Sequence, residues 1–592
     1  MRRLGQRGNQ SGNNRRAKNS PPQGSLNDAF FGDFVDHGWR LLQAGQDEEA
    51  TELAIRAVRM SETAASKALF VQCVKQWSYF LGAEQIQDLL ARALTEPWMQ
   101  PHELSGIVVG VLRHEAVLGA TLDRVLTVKS SGTPTLNPLT AKDIDVLARN
   151  QLLLALLQTG KIADINLEKL LTATRAALLD ISCRQAKVNE TLLALACAIA
   201  GQCFFNEYVF DVSADEIAKL ASLHDRIVEG ISRQKEISAL GLAVLGAYRS
   251  LADLAKSEEL LSRRWPASVV ELLSRQVRDV VFERKNCDNT PQLTRVENAV
   301  SVQVRAQYEQ NPYPRWSRLP TAETYALSFD ERFQREFPHS GYRRTKETPD
   351  FDVLIAGCGT GRQSILFAQQ CPESRILAVD LSLASLAYAK RKTDGMGIGN
   401  VEYGQADILE LGAINRSFDI ISCCGVLHHL ADPWQGWRTL VSLLRPDGRM
   451  LIGLYSEQAR RAVRAAQNLL REHGYTASPD DIRRARKLLV ELASQRPDFA
   501  SLLEIEDFYT TSECRDLLFH VQETEVTLRQ IETFLNDNDL RFLGFNMSAK
   551  SRALFAKRFG ARGEANLDLW CQFEADNPHT FIGMYEFWVQ RC

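Results

Sequence analysis

The chain has 592 residues, a length that predicts about three to five domains, or fewer if one part is a helical solenoid. Its hydrophobic fraction of 45% and charged fraction of 24% are ordinary for globular proteins and exclude disorder over most of the chain. A formal net charge of −3 disfavours a protein whose main task is binding nucleic acid or an anionic membrane, because those partners require surplus Lys and Arg.

The twelve cysteines are dispersed along the chain, and none of them forms a CxxC pair. This pattern predicts buried thiols instead of a zinc site, so we expect no metal. No signal peptide is recognised, and no apolar stretch reaches the roughly 20 residues that a bilayer requires. We therefore expect a cytoplasmic protein without a membrane span.

Residues 1–24 contain six Lys or Arg residues and no acidic residue, among Gly, Asn, Ser, Gln and Pro. Such a composition buries too little apolar surface to fold, so it predicts a disordered basic tail. An electrostatic arm for RNA or anionic lipid is the alternative interpretation.

Residues 25–290 show helical periodicity throughout and predict an all-α domain. Within 34–61, small residues occur at the offsets of one tetratricopeptide (TPR) repeat, namely Gly38, Gly45, Ala50, Ala54 and Ala57. The rest does not repeat this signature, so we expect one TPR-like hairpin followed by irregular helices. This domain is expected to bind a protein partner, regulate access or mediate oligomerisation.

A polar segment near 284–294 predicts the boundary to a second domain, residues 295–592. There, short β-branched runs alternate with helical stretches, which predicts an α/β fold with a mostly parallel sheet. The predicted strands are 352–356, 375–379, 400–403, 418–423, 449–454, 541–545 and 584–589, with a helical insertion at about 456–535.

A glycine-rich turn follows the first of these strands. Gly357, Cys358, Gly359 and Gly361 lie between that strand and a helix, where missing side chains and a helix N-terminus favour a nucleotide-like ligand. The spacing is GxGxG, with Arg362 where a dinucleotide-binding turn has its third glycine. A nicotinamide-dependent reductase is therefore the disfavoured alternative.

Two acidic residues follow the next two strands. Asp380 ends the second strand, 23 residues after Gly357, where a carboxylate meets ribose hydroxyls in nucleotide-binding folds. Asp407 follows the third strand and is suited to accept a hydrogen bond from an exocyclic amine such as that of adenine.

These features resemble the class I S-adenosylmethionine (SAM) dependent methyltransferases, through Ala356–Gly361, Asp380, Asp407, Val426–Pro433 and Arg445–Gly448. The resemblance implies a Rossmann-like, seven-stranded sheet and SAM as the cofactor. It implies that the glycine loop with Cys358 lies against the methionine part of SAM, that Asp380 binds the ribose and that Asp407 with Ile408 holds adenine. Leu381 and Cys424 complete the expected cofactor site. The family often has an acidic residue where this chain has Ala356.

Beyond residues 297–455, which carry this match, the chain resembles large bacterial proteins that join a TPR-like helical region to such a methyltransferase. The segments that carry this resemblance are Tyr308–Trp316, Arg515–Glu523 and Asn577–Trp588. It does not indicate which molecule is methylated.

Candidate catalytic residues follow the fourth strand. His428 or His429 is suited to act as a general base, and the alternative is that the pair only shapes the SAM pocket. The proline-rich segment 308–316 predicts a lid that brings Tyr313 and Arg315 to the substrate, or else a rigid linker between domains.

Two polar clusters lie in the helical insertion. Asp516 and His520 are four residues apart on a predicted helix and can orient each other. Arg515 and His520 are therefore further substrate-binding candidates. The alternative is that Asp516 and His520 form only a structural pair. The cluster Arg483, Arg484, Arg486 and Lys487 predicts a solvated helix face.

The sequence as a whole predicts a SAM-dependent methyltransferase acting on an unidentified small molecule or protein. The alternative is a TPR-like interaction scaffold with an inactive methyltransferase fold.

Overall fold

The structure, a computed structural model, describes residues 23–77, 83–128, 139–184, 189–320, 329–344 and 350–592. Residues 1–22 of the predicted disordered tail 1–24 lie outside the described residues. Helix α1 begins at Gln23. The described chain forms two compact units, one ending at Trp77 and one beginning at Ala83.

The first unit contains three helices, α1 (Gln23–Gln43), α2 (Asp47–Met60) and α3 (Ala64–Lys75). A side chain at Gly38 would place its Cβ 2.5 Å from a methyl carbon of Leu69 and 3.0 Å from one of Leu53, so α1 approaches both other helices closely at this point. Ala50, Ala54 and Ala57 are fully buried along α2. Four of the five small residues therefore occupy buried or close helix contacts, whereas Gly45 is exposed in the turn between α1 and α2 with φ +73°.

The second unit begins with an all-helical region, as the sequence predicts. Its helices are α4 (Gln87–Thr95), α5 (His102–His114), α6 (Ala116–Val128), α7 (Ala141–Arg149), α8 (Gln151–Thr159), α9 (Ile165–Cys183), α10 (Glu190–Phe205), α11 (Ala214–Ser232), α12 (Ala239–Gly246), α13 (Ala267–Leu273) and α14 (Asp279–Asn286). Among the described residues no single helix has the length and apolarity to cross a membrane, although α5 with α6 up to Thr127, bent by 90°, meets that test as a pair.

A seven-stranded, mostly parallel sheet follows, which confirms the predicted fold class. Its strands are β1 (Asp352–Ala356), β2 (Arg375–Asp380), β3 (Val401–Gln405), β4 (Phe418–Cys424), β5 (Leu444–Leu454), β6 (Leu540–Phe545) and β7 (Tyr585–Arg591). Their order is β3-β2-β1-β4-β5-β7-β6. Strand β7 runs antiparallel to β5 and β6, and every other pairing is parallel. In register, Val353 of β1 lies between Ile376 of β2 and Ile420 of β4.

Helices cover both faces of the sheet. Those on one face are α16 (Phe329–Glu336), α17 (Arg362–Gln370) and α18 (Leu383–Gly395), and those on the other are α19 (Pro433–Ser442), α24 (Leu528–Asp537), α25 (Ala549–Phe559) and α26 (Leu567–Asp576). Helix α15 (Ala299–Glu309) packs on α18. Helices α20 (Arg461–Glu472), α21 (Pro479–Ala493), α22 (Pro497–Ala500) and α23 (Thr511–Phe519) share a separate hydrophobic cluster. Strand side chains alternate between the faces, so Val353 and Ile355 join one buried cluster while Leu354 and Ala356 join the other. A strand that is buried on both faces has apolar residues at consecutive positions, and the sequence shows such a run.

The polar segment before the sheet lies along the edge strand β3. The amide of Gln405 donates to the carbonyl of Pro291, and the amide of Leu293 donates to the carbonyl of Gln405, both at 2.8 Å. A Cβ at Gly404 would come within 2.5 Å of Leu293. Residues 291–294 therefore cover the sheet edge, where the sequence indicates an exposed linker.

Helices α20 to α24 lie between β5 and β6, and they contact the all-helical region through buried polar groups. Arg486 is 3% exposed and forms two hydrogen bonds with Glu168 of α9, at 3.0 and 2.8 Å. It also donates to the carbonyl of Phe508 at 2.7 Å. The predicted solvated basic face is therefore wrong for Arg486, because an acid more than 300 residues away in sequence pairs with it.

Breaking this buried pair should destabilise the second unit. Arg486→Met leaves the Glu168 carboxylate buried without its partner, which costs about 3–5 kcal/mol. Lys487→Met is the matched control, because Lys487 lies one residue further on and pairs with Asp211 at 3.5 Å with both side chains more than half exposed. Thermal unfolding followed by circular dichroism should show a marked loss of Tm for Arg486→Met and almost none for Lys487→Met. Equal Tm values for the two variants would contradict this assignment.

Candidate active site

A cavity of about 820 Å³ lies at the edge of the sheet where the parallel strands end. This edge is where open α/β folds bind ligands, and the volume is that of a small-molecule site. The structure brings most of the predicted cofactor residues to its wall, namely Gly357, Cys358, Gly359, Asp380, Leu381, Asp407, Ile408 and Cys424.

Asp380, the last residue of β2, joins two loops through its carboxylate. One oxygen accepts from the amide of Gly359 at 2.8 Å, and the other accepts from the amide of Ser382 at 2.9 Å. Burial raises the pKa of Asp380, with a smaller contribution from the nearby Glu309, while the two backbone hydrogen bonds lower it. Each carboxylate oxygen can accept a second hydrogen bond, so the side chain retains the capacity to bind a diol.

Asp407 provides a second acceptor on the same wall. One of its carboxylate oxygens accepts from the amide of Leu409 at 3.0 Å. The other oxygen is buried and has no hydrogen-bond partner among the described residues. A buried carboxylate oxygen without a donor is costly, and a donor such as an exocyclic amine would satisfy it. The residues present therefore fit the adenosine part of SAM.

Gly361 does not line this cavity, contrary to the expectation that it lies against the ligand. It has φ +80°, and a Cβ there would lie 2.7 Å from the Cβ of Ala389 in α18 and 2.8 Å from the hydroxyl of Tyr403 in β3. The turn thus requires glycine at this position because the chain packs on itself. Gly359 lines the cavity and also packs closely against Tyr313, because a Cβ at this position would lie 2.6 Å from the carbonyl oxygen of Tyr313.

Gly361→Ala should therefore destabilise the fold. The left-handed backbone costs an alanine about 1–2 kcal/mol, and overpacking against Ala389 adds about 1–3 kcal/mol. Gly399→Ala is the control, because Gly399 has no left-handed φ and its Cβ would meet nothing within 4 Å. Urea unfolding should show the loss of stability for the first variant alone. A Gly361→Ala protein as stable as the wild type would show that the turn does not need glycine there.

The segment 308–316 lies on the glycine loop. The amide of Thr360 donates to the carbonyl of Tyr313 at 3.2 Å, and the indole N–H of Trp316 donates to the carbonyl of Thr360 at 3.1 Å. Tyr313 lines the cavity, but Arg315 does not. Arg315 pairs with Glu207 at 3.3 Å and lies over the ring of Phe204, so it contacts the all-helical region and not a substrate.

The two adjacent histidines have different surroundings. His428 does not line the cavity, and both of its ring nitrogens are buried without a hydrogen-bond partner among the described residues. Its ring stacks on Tyr455 at 3.6 Å between centroids. Burial, reinforced by the neighbouring His429, lowers the pKa of His428 well below its usual value. His428 is therefore a neutral core side chain, and the structure does not place it as a general base.

His429 lines the cavity. Its Nδ1 lies 3.0 Å from the carbonyl oxygen of Gln522, which can only accept, so Nδ1 carries the proton and Nε2 presents a lone pair. Burial, followed by the nearby His520, lowers the pKa of His429 well below its usual value. Of the two predicted bases, only His429 is placed to contact a ligand.

Asp516 of α23 lies close to His429 and also lines the cavity. Its carboxylate accepts from the hydroxyl of Tyr308, and the hydroxyls of Tyr455 and Tyr313 lie 3.4 and 3.5 Å away. Arg515 and His520 are the two predicted substrate residues in this segment. The ring of His520 stacks on that of His429, with 3.6 Å between the ring centroids. Arg515 points elsewhere and donates to Gln310 at 2.7 Å.

The cavity lining also contains residues that the sequence does not predict. Lys161 of the all-helical region forms two hydrogen bonds with Glu513, at 3.1 and 3.0 Å, and lies 3.4 Å from Glu506. Burial disfavours the charge on Lys161, but the surrounding carboxylates outweigh burial and raise its pKa. Burial raises the pKa of Glu513 to about 7. No spacing in the sequence indicates that residue 161 faces residue 513.

Comparison with known proteins gives a family for part of the chain. Residues 353–448 match a family described as a methyltransferase domain. The chain is 30% identical over 204 residues to an uncharacterized protein of Synechococcus sp., which covers 33% of this chain and 48% of that protein.

It is also 34% identical over 120 residues to the ubiquinone/menaquinone biosynthesis C-methyltransferase UbiE of Idiomarina loihiensis, covering 20% of this chain and 46% of that enzyme. The chain thus spans about half the length of these curated relatives. Among solved structures, PKMT2 from Rickettsia typhi in complex with AdoHcy is 19% identical, with a TM-score of 0.35 over 44% of this chain and 51% of that one.

Proposed function

Because residues 353–448 form a SAM-dependent methyltransferase domain, we propose that this chain catalyses the transfer of a methyl group from SAM to an acceptor bound in the same cavity. The observation that carries the proposal is the pair of acceptors on one cavity wall, Asp380 after β2 and Asp407 after β3. Their spacing in the fold suits the ribose and the adenine of one ligand.

Methyl transfer from SAM requires little covalent catalysis by the protein. SAM supplies an activated methyl group when bound, so the chain's own residues have to position the acceptor and exclude water. The segment 308–316 is placed for that task, because it lies over the glycine loop while Tyr308 and Tyr313 reach Asp516. We propose His429 as the base that accepts a proton from the acceptor, because it lines the cavity and its Nε2 has a lone pair.

We further propose that the acceptor is a small molecule or a protein side chain, and that the all-helical region takes part in selecting it. Lys161 supports this part of the proposal, since it places a residue of that region on the cavity wall. The α1–α2 hairpin is TPR-like in its small buried residues, and we propose a protein-binding role for it.

Asp380→Asn should weaken SAM binding. The amide keeps the size of the side chain but removes the charge that strengthens hydrogen bonds to the ribose hydroxyls, and its NH2 group cannot accept the hydrogen bond that Gly359 or Ser382 donates. The two losses together should cost at least about 1–3 kcal/mol, or about 5- to 150-fold in Kd. Isothermal titration calorimetry of the full chain with SAM measures this loss directly.

Asp394→Ala is the control for that titration, because Asp394 lies on α18 away from the cavity and its side chain is 53% exposed. It should leave the SAM affinity unchanged. Unaltered affinity in Asp380→Asn would contradict the assigned ribose acceptor. Failure of the wild-type chain to bind SAM at millimolar concentration would favour the interaction scaffold with an inactive fold.

A further inference from the structure

Two hydrogen-bond acceptors, Nε2 of His429 and Oδ1 of Asp516, face each other in the cavity. The hydroxyl of Tyr308 donates to Oδ1, which keeps a further lone pair for a ligand. Nε2 of His429 presents its lone pair, because Nδ1 donates to Gln522, and it lies 3.8 Å from Oδ1 of Asp516. His429 is 4% exposed and Asp516 is 2% exposed, and among the described residues Nε2 of His429 has no hydrogen-bond partner. A nitrogen placed beside both atoms can lie within hydrogen-bond distance of each.

A metal ion is the first ligand to consider, since His429, Asp516 and His520 bring one ligand atom each within 4.8 Å of one another. The backbone of Gln522 argues against it. Its amide N–H donates to Nδ1 of His520 at 3.1 Å, so the proton of the neutral His520 ring is on Nε2. That nitrogen then has no lone pair for a metal and acts as a donor toward Asp516. Only two of the three groups can ligate an ion.

The charge of the cavity points to a cation. Its lining contains eight acidic residues, namely Glu336, Asp380, Asp407, Glu506, Asp507, Glu513, Asp516 and Glu586. It contains three basic residues, namely Lys161, Arg332 and Arg362. Lys161 is already shared between Glu513 and Glu506. Asp507 lines the same wall, and the described part of the chain shows no hydrogen bond to its carboxylate. A surplus of carboxylates in a partly enclosed site attracts cations.

The walls of this part of the cavity are aromatic. Tyr308, Tyr313, Tyr455 and His429 all line it, and the Tyr308 and Tyr313 ring centroids are 5.2 Å apart. Aromatic rings beside a carboxylate provide a favourable environment for an ammonium group, which gains from both the charge and the ring faces. An anionic acceptor would meet repulsion instead.

We propose that the acceptor is an amine, which enters as an ammonium ion and is held between Asp516 and Nε2 of His429. This inference rests on the proposed methyltransferase function and names its class of substrate. A free alkylamine and a lysine side chain share this chemistry. A neutral alcohol has one proton to donate and does not compensate the acidic surplus.

The transfer balances with groups that are present. The ammonium gives one proton to Nε2 of His429. Burial of the ring, which lowers the pKa of His429, opposes this step, and the Asp516 carboxylate 3.8 Å away favours it by stabilising the imidazolium. The lone pair of the neutral amine then forms the N–CH₃ bond while the S–CH₃ bond breaks and its electron pair remains on sulfur. The products are the methylated ammonium and S-adenosylhomocysteine, and the proton leaves His429 to water.

Calorimetry on the full chain tests this proposal, both without cofactor and saturated with S-adenosylhomocysteine. The probes are 1,5-diaminopentane for a free amine and Nα-acetyl-lysine N-methylamide for a side chain, with 1,5-pentanediol and the Nε-acetylated derivative as their uncharged counterparts. At least one amine should bind, and its counterpart should bind about 30-fold more weakly or worse. The amine that binds shows whether the acceptor is a free alkylamine or a lysine side chain. Mass spectrometry after incubation with SAM should place the added methyl on nitrogen.

Variants separate the acceptor site from the cofactor site. Asp516→Asn and Asp507→Asn should each weaken amine binding and leave the affinity for S-adenosylhomocysteine unchanged, and Asp394→Ala should alter neither. Asp507→Asn keeps the test decisive if Asp516→Asn fails to fold, because the Asp507 carboxylate makes no hydrogen bond in the described structure.

The amine proposal is overturned if the uncharged probes bind as tightly as the amines, or if neither amine binds a protein that binds S-adenosylhomocysteine. It is also overturned if Zn²⁺ alone binds tightly and displaces the amine. Failure to bind S-adenosylhomocysteine would instead contradict the proposed function, while the titration without cofactor would still report on the amine site.

Discussion

The carboxylate of Asp380 is the group on which the geometry of the cofactor wall depends. It accepts from Gly359 in the loop after β1 and from Ser382 at the start of α18, so a single side chain joins the loops that follow the paired strands β1 and β2. Glu309 reinforces the same point by accepting from the amides of Leu383 and Ala384, at 2.7 and 3.1 Å. These acids occupy the positive end of α18 and hold the loops open to a ligand.

The rest of the cavity wall, here called the acceptor wall, has a different origin. It is built from the helical insertion, the segment 308–316 and one lysine of the all-helical region, which ion pairs and hydrogen bonds hold together. The buried pair of Arg486 and Glu168 and the pair of Lys161 and Glu513 join the insertion to that region. The acceptor wall is therefore complete only when Lys161 and the insertion are held together by these contacts. This arrangement gives the all-helical region a direct part in shaping the cavity.

The sequence predicts the sheet and the cofactor wall well, because both depend on local pattern. Apolar runs followed by Gly357 or Asp380 mark strand ends, and strand ends of a parallel sheet meet at one edge. The acceptor wall depends on tertiary contacts that have no periodicity, which is why Lys161 was missed and Arg315 was assigned to a substrate. The histidine pair shows the same limit, since the contact of His429 with the Gln522 backbone and its position on the cavity wall, which distinguish it from His428, depend on tertiary structure.

A crystal structure of the full chain with S-adenosylhomocysteine tests the central claim most directly. The account predicts the ribose hydroxyls within hydrogen-bond distance of Asp380, and the adenine amine donating to the carboxylate oxygen of Asp407 that lacks a partner. It also predicts that the ligand's sulfur faces His429 and Asp516. Adenosine bound elsewhere, or side chains filling the space between Asp380 and Asp407, would contradict it.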